Sequence, residues 1–130
     1  KAGAEKFLYI NTANAQMDDA AAWNDTEPTS SVFTVNADQM NNGNGDDIIA
    51  YVFSSVEGFS KFGEYTGNGN ANGPFVYTGF RPALLAIKGK STATSMNWMD
   101  TARNPSNPMT QYLNTDGNGD EGNYAGWDVY

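Results

Sequence analysis

The chain has 130 residues, a length that supports one domain with its own hydrophobic core and needs neither metal nor disulfide to fold. It contains no cysteine and no histidine, which excludes disulfides, thiolate nucleophiles and Cys-based zinc sites, and also removes the usual general base and the commonest metal nitrogen. Seven basic against fifteen acidic residues give a net charge of −8, and a surface this acidic repels phosphate backbones and anionic lipid, so neither nucleic acid nor a membrane surface is an expected partner.

No apolar run reaches the ~20 residues of a membrane-spanning helix. The first residue is Lys1 and not a start methionine, so the expectation is a processed chain or a piece of a longer one. Catalysis would have to rest on carboxylates, Lys, Tyr, Ser or Thr alone, and the chain is expected not to be an enzyme.

In chain order, Lys6 to Thr12 is a β-prone run ending in a polar turn, the first predicted strand. Ala13 to Pro28 is rich in small residues with poor apolar spacing, which predicts a loop with a short helical turn, pinned to the sheet by Trp23. Thr29 to Val35 is a second strand, and the Asn-Gly steps between Asn41 and Asp47 suit the positive φ of tight turns. Ile48 to Phe53 is the most apolar run, so it is predicted to be a central strand, and the stretch from Asp46 to Lys88 is predicted to be the core.

Gly58 and Gly63 bracket a short aromatic strand, and Gly67 to Gly73 form a second glycine and asparagine turn. Phe75 to Phe80 and Leu84 to Lys88 are a further strand pair around Arg81-Pro82, since proline cannot donate to a ladder and belongs at a strand start or edge. Asn97 to Asp100, Gln111 to Thr115 and Trp127 to Tyr130 complete the list, the last two separated by a turn from Asp116 to Asn123. Eight or nine short strands with long Gly/Asn-rich loops predict an all-β antiparallel sandwich of jelly-roll type.

Tyr9-Ile10-Asn11-Thr12 is followed by Trp23 and Tyr112-Leu113-Asn114-Thr115 by Trp127, with Asn-to-Trp gaps of 12 and 13 residues. A repeat of period about 103 is one reading and chance the other. On the first, the chain begins near the end of one unit and stops before the end of the next, leaving unpaired edges at its ends.

The text from Ile48 to Gly69, with Gly58-Phe59-Ser60-Lys61-Phe62-Gly63-Glu64-Tyr65-Thr66-Gly67-Asn68-Gly69 as its most specific part, resembles a repeat domain of tailed-bacteriophage virion proteins. Gly73 to Pro82 and Trp98 to Arg103 extend the resemblance, which covers about Leu8 to Tyr130. Those proteins are tail-fibre-like or head-decorating, common in marine phages and often placed beside lectin-like domains. The resemblance implies a β-sandwich unit, residues 1–130, within a longer virion protein, with other copies of itself and other virion proteins as partners. It brings no assigned catalytic or ligand residues.

Asp116, Asn118 and Asp120 place oxygen ligands at alternate positions as a calcium loop does, but glycine falls one place late and the closing bidentate position is Trp127. A solvated hairpin turn is the expectation, with calcium as the alternative and otherwise no cofactor. Trp23, Trp98 and Trp127 are candidates for a sugar-stacking platform toward a host-surface glycan, set against core packing for each ring. Glu57 and Glu64 are the best carboxylate pair for glycoside hydrolysis, which needs them ~5–10 Å apart in a cleft. Arg81 and Arg103 sit at turns and are expected to clamp carbonyls or pair with carboxylates such as Asp100. The leading expectation is a non-enzymatic structural component of a virion (tail fibre, head fibre or capsid decoration), and the alternative is a carbohydrate-binding module for host adsorption.

Overall fold

A computed structural model describes residues 3–129 of the chain. It is β-rich with almost no helix, as the composition predicts. Six strands pair among the described residues: β1 (Lys6–Phe7), β2 (Met17–Asp18), β3 (Leu84–Ile87), β4 (Asn97–Asp100), β5 (Met109–Asn114) and β6 (Gly122–Trp127). β1 and β2 form a two-stranded antiparallel ribbon, and β3-β4-β5-β6 form a four-stranded antiparallel meander curled into a half-barrel.

Two single-turn helices interrupt the first half. In α1 (Ala20–Trp23) the Asp19 side chain accepts from the Ala21 N–H at 2.9 Å, and Asn24 ends the turn at φ 54, so small residues and a cap make the helical turn that poor apolar spacing alone does not promise. Ala22 is its buried residue and Trp23 is half-buried. In α2 (Gln39–Asn42) Asp38 caps in the same way, accepting from the Met40 N–H at 2.6 Å.

The core lies on one face of the meander. Met99, Met109 and Val129 are buried there, with Leu85, Ile87, Tyr112 and Trp127 packed around them. The β4 register pairs Leu85 with Met99 and Ala86 with Trp98, so strand alternation sends Met99 into this cluster and Trp98 to the opposite face. Tyr112 lies over Gly122, its cross-strand partner, where an added Cβ would come within 2.6 Å of the Tyr112 Oη. Glycine at 122 is therefore a packing requirement of the ring above it.

Between β3 and α2 the structure departs from expectation. Ile48 to Phe53 joins no ladder and is exposed throughout, as are most of the residues around it: from Asn44 to Tyr77 only Ser60 is even half-buried. Phe75 to Phe80 and Thr29 to Val35 are likewise outside any ladder. The reason is geometric. Apolar composition favours burial, but burial requires a facing surface, and the core face of the meander is filled by its own Met99, Met109, Tyr112 and Trp127 together with Val129 and not by this segment.

The surface area expresses the same fact. The chain exposes 9630 Å². A compact monomer of 14.0 kDa exposes about 6,700 Å², a surplus here of about 2,900 Å².

The two similar segments found in the sequence touch: the Thr115 hydroxyl donates to the Ile10 carbonyl. They do not share a secondary structure, since Tyr112 to Asn114 belongs to β5 and Tyr9 to Thr12 is a bent loop, and Trp23 is helical where Trp127 is in a strand. Tyr130 lies outside the described residues.

Candidate functional site

Two features stand out from the fold, a polar clamp that fixes the meander and an exposed apolar arm that leaves it. The clamp begins with Asp100, at the end of β4, whose carboxylate accepts from the backbone N–H groups of Ala102 (3.1 Å) and Arg103 (2.9 Å) and from the Arg103 Nε (2.6 Å). The guanidinium also reaches Glu121 at 3.0 Å, and Glu121 accepts from the Gln111 amide at 2.7 Å. The Asp100–Arg103 pairing expected from sequence is thus present, enlarged by Glu121 from the far end of the meander. The Arg103 backbone N–H and guanidinium hold the Asp100 carboxyl below its usual range, and Asp100 in turn raises Arg103.

Asn104 is the member that sequence reasoning missed. It is 5% exposed, and its side chain accepts from the Thr110 N–H (2.9 Å) and the Gln111 N–H (2.8 Å) while donating to the Gln111 carbonyl (2.8 Å). The β5–β6 register slips between Met109 and Gln111, which leaves Thr110 without a strand partner. Asn104 supplies that partner from a loop. The signal in the sequence was weak: an Asn before Pro105, in an irregular run, with nothing to mark it as buried.

This clamp is structural, and it titrates in a defined direction. Because the Asp100 carboxyl is held low in the folded state, its stabilising contribution is complete above the unfolded carboxyl value, about 3.9, and is lost as pH falls through the folded value. Asp100→Asn should therefore lower the urea midpoint at pH 7 and flatten its fall toward pH 3. Identical midpoints for the two proteins at pH 7 would show that the clamp adds nothing.

The arm is built differently. Residues 46–55, 61–68 and 73–78 run without turn, bend or ladder, and no backbone N–H or carbonyl of residues 48–53 bonds to another described residue. Exposure reaches 80% at Ile49 and Phe59, 83% at Tyr51 and 82% at Phe75. Two short turns within it are internally ordered, one at Asn68 to Asn72, where the Asn68 side chain donates to the Asn72 carbonyl (2.9 Å) and accepts from the Asn70 N–H (3.0 Å), and one at the tip. Gly58 at φ +72 closes a turn in which the Val56 N–H donates to the Ser60 carbonyl (3.0 Å) and the Ser60 N–H to the Val56 carbonyl (2.9 Å). The Ser60 hydroxyl donates to the Ser54 carbonyl at 2.7 Å, and the Phe53 and Phe62 rings stack obliquely 6.0 Å apart. The aromatic strand expected at Phe59 to Phe62 is thus the return of a tight turn that holds Phe59 outward.

The base of the arm is tied to the rest of the chain through the loop after β3. Glu64 pairs with Lys90 at 2.6 Å, which lowers the Glu64 carboxyl, and the Lys90 carbonyl accepts from the Gln16 N–H at 2.9 Å. Lys88 donates to the carbonyls of Thr12 (2.9 Å) and Thr94 (2.7 Å). These lysines hold loops together, and Glu64 is committed to an ion pair. Glu57 lines a shallow recess of about 280 Å³ with Gly58, Tyr77 and Thr78. Arg81 borders a second recess, about 370 Å³, beside Pro82, Thr101 and Pro105.

The three tryptophans are half-buried and are not brought onto one platform. Trp127 contacts Tyr112 and Tyr124, with centroids 5.7 and 5.4 Å away, on the core face. Trp98 occupies the opposite face, and its indole N–H is buried with no hydrogen-bond partner. Trp23 lies on α1, outside the sheet. Asp116, Asn118 and Asp120 occupy the β5–β6 loop, with Asn118 and Asp120 exposed. Among the described residues no group of three or more His, Cys, Asp or Glu side chains is gathered as a metal site, and no helix is long and apolar enough to cross a membrane.

Comparison with the curated proteins finds no match, and comparison with the solved structures finds none. One family model does match, over residues 1–129, and by that span the chain belongs to the family described as a domain of unknown function, DUF7483.

Proposed function

We propose that the chain is a non-enzymatic structural component of a bacteriophage virion (a tail fibre, head fibre or capsid decoration) that acts through contacts with copies of itself and with other virion proteins. The virion assignment rests on the resemblance carried by Gly58 to Gly69. The assembly role is supported by one structural observation, the apolar arm from Asn44 to Tyr77 that the chain itself leaves exposed. Soluble monomers rarely expose contiguous apolar patches beyond a few hundred Å², and larger ones mark interaction surfaces.

In this reading the unpaired runs 29–35, 48–53 and 75–80 are strands in waiting. Added to the six already formed they make nine, and an eight- or nine-stranded jelly-roll-like sandwich is completed only in the assembled particle. An antibody raised against residues 1–130 should label purified tailed particles in immunoelectron microscopy. Absence of the chain from such particles by mass spectrometry would overturn the assignment.

A carbohydrate-binding module for host adsorption is the second reading, favoured by Tyr124, which is 62% exposed beside Trp127. It predicts a glycan-array signal that Tyr124→Ala abolishes. A blank array leaves the assembly role alone.

A further inference from the structure

We propose that the arm is covered by a second copy of this chain, with Ile48–Phe53 of each copy adding as a strand to the free edge of β3 (Leu84–Ile87) in the other. The inference rests on the assembly reading above and names its partner.

Both halves of the contact are visible in one chain. β3 is an edge of the four-stranded sheet, paired with β4 on one side only. Its side chains alternate between exposed (Leu84, Ala86) and half-buried (Leu85, Ile87). A free edge of this kind is a row of unmet N–H and carbonyl groups, a template for any strand of suitable length. Residues 48–53 are the complementary object. They have strong β propensity, no turn or bend, and six residues of backbone with no partner among the described residues. Strand addition supplies main-chain bonds to both, and reciprocal exchange about a two-fold axis meets both needs in both copies at once. A partner of another kind would have to bring both a strand for the β3 edge and an edge for residues 48–53, whereas a second copy of this chain already carries both.

Area and charge agree. The surplus surface of two copies is about 5,800 Å², slightly above the 2,000–5,000 Å² typical of obligate interfaces. The surface is thus sufficient for a permanent contact even when part of it stays wet. Ile48–Phe53 and Leu84–Ile87 carry no charge, and of the −8 on the chain the arm from Asn44 to Tyr77 carries Asp46, Asp47, Glu57, Lys61 and Glu64, a net of −3. Most of the acidic surplus lies outside the contact, and the two paired strands meet without like-charge repulsion. The ordered turn at Gly58 gives each arm a rigid aromatic tip, Phe59, to anchor it.

The absence of cysteine makes the test direct. Val52→Cys and Ala86→Cys are made in separate chains, mixed and oxidised, and a disulfide-linked species of twice the 14.0 kDa chain mass should form in the mixture well beyond the level in either variant alone. The unmodified chain should run as a dimer or larger in size-exclusion chromatography with light scattering. Tyr51→Pro, which removes a backbone donor that has no partner among the described residues, should weaken association at least tenfold while the fluorescence of Trp98 and Trp127 in the meander stays unchanged.

A monomeric chain with no cross-linking between variants overturns the proposal. So does an oligomer that is indifferent to Tyr51→Pro and gives no cross-link, which means another surface is used. A cross-link that forms only when Val52→Cys and Ala86→Cys are combined in one chain shows the arm folding back on its own β3, and also overturns it. None of these results removes the chain from the virion; that is decided by its absence from purified particles.

Discussion

Asn104→Ala should cost about 3 kcal/mol of stability, because it strips partners from two backbone N–H groups and one carbonyl in a buried setting, where each unmet group costs about 1–3 kcal/mol. For a chain of this size that is a shift of about 1.5 M in the urea midpoint. The effect is expected to exceed that of any surface ion pair among the described residues, because the clamp carboxylates and the Glu64–Lys90 pair are solvated and screened, whereas Asn104 is 5% exposed. Asn104→Asp separates the two sides of the interaction. It keeps the acceptor for Thr110 and Gln111 and loses the donor to the Gln111 carbonyl, so an intermediate midpoint is expected. A midpoint for Asn104→Ala within 0.2 M of the parent, on the order of measurement error, would mean that the slipped register of β5 finds its hydrogen bonds elsewhere.

Met99→Ala should cost about 2–5 kcal/mol, the range for emptying a fully enclosed site of this size. Met99 has no exposed surface and is enclosed by Met109 and Val129, with Leu85, Ile87, Tyr112 and Trp127 beyond them. Domains of this length have about 5–15 kcal/mol in total, so the loss is a large share of what exists. The share is larger here because few of the described residues are buried. Met99→Leu conserves volume and should cost less than about 1.5 kcal/mol. Thermal unfolding followed by near-ultraviolet circular dichroism, which reports Tyr112 and Trp127 packed on the same cluster, measures both. A Met99→Ala protein with the parent melting temperature would show that the fold is not held by the cluster around Met99.

The two changes also separate the meander from the arm. Neither Asn104 nor Met99 lies in residues 48–80, so each should lower stability without a specific effect on the mode of association. Tyr51→Pro should do the reverse. The meander holds the core and the clamp, and the arm holds the unused β-forming text.

Several elements were legible from residue order because their causes are local. The small residues between Ala13 and Pro28 made the short helical turn expected there, Arg103 paired with Asp100, and Leu84 to Ile87, Asn97 to Asp100 and the Gln111 region became strands close to their expected bounds. The glycine at 58 read as a turn and is one, at positive φ. Asn104 was not legible, because its value comes from a register slip in a strand six residues later, and nothing in an Asn-Pro pair announces that. The tryptophans read as a possible platform, yet strand alternation places Trp98 and Trp127 on opposite faces.

By itself, then, the sequence determined a β-rich chain with no cysteine or histidine chemistry, and that its most apolar run is Ile48 to Phe53. Only the tertiary structure decided where burial is met. The core formed on the meander face around Met99 and Met109, and the most apolar run in the chain was left outside it, with no backbone partner among the described residues. Hydrophobicity is a property of residues and can be read along a line, whereas the surface that covers them is a property of arrangement. For residues 48–80 that surface is not on the chain's own sheet.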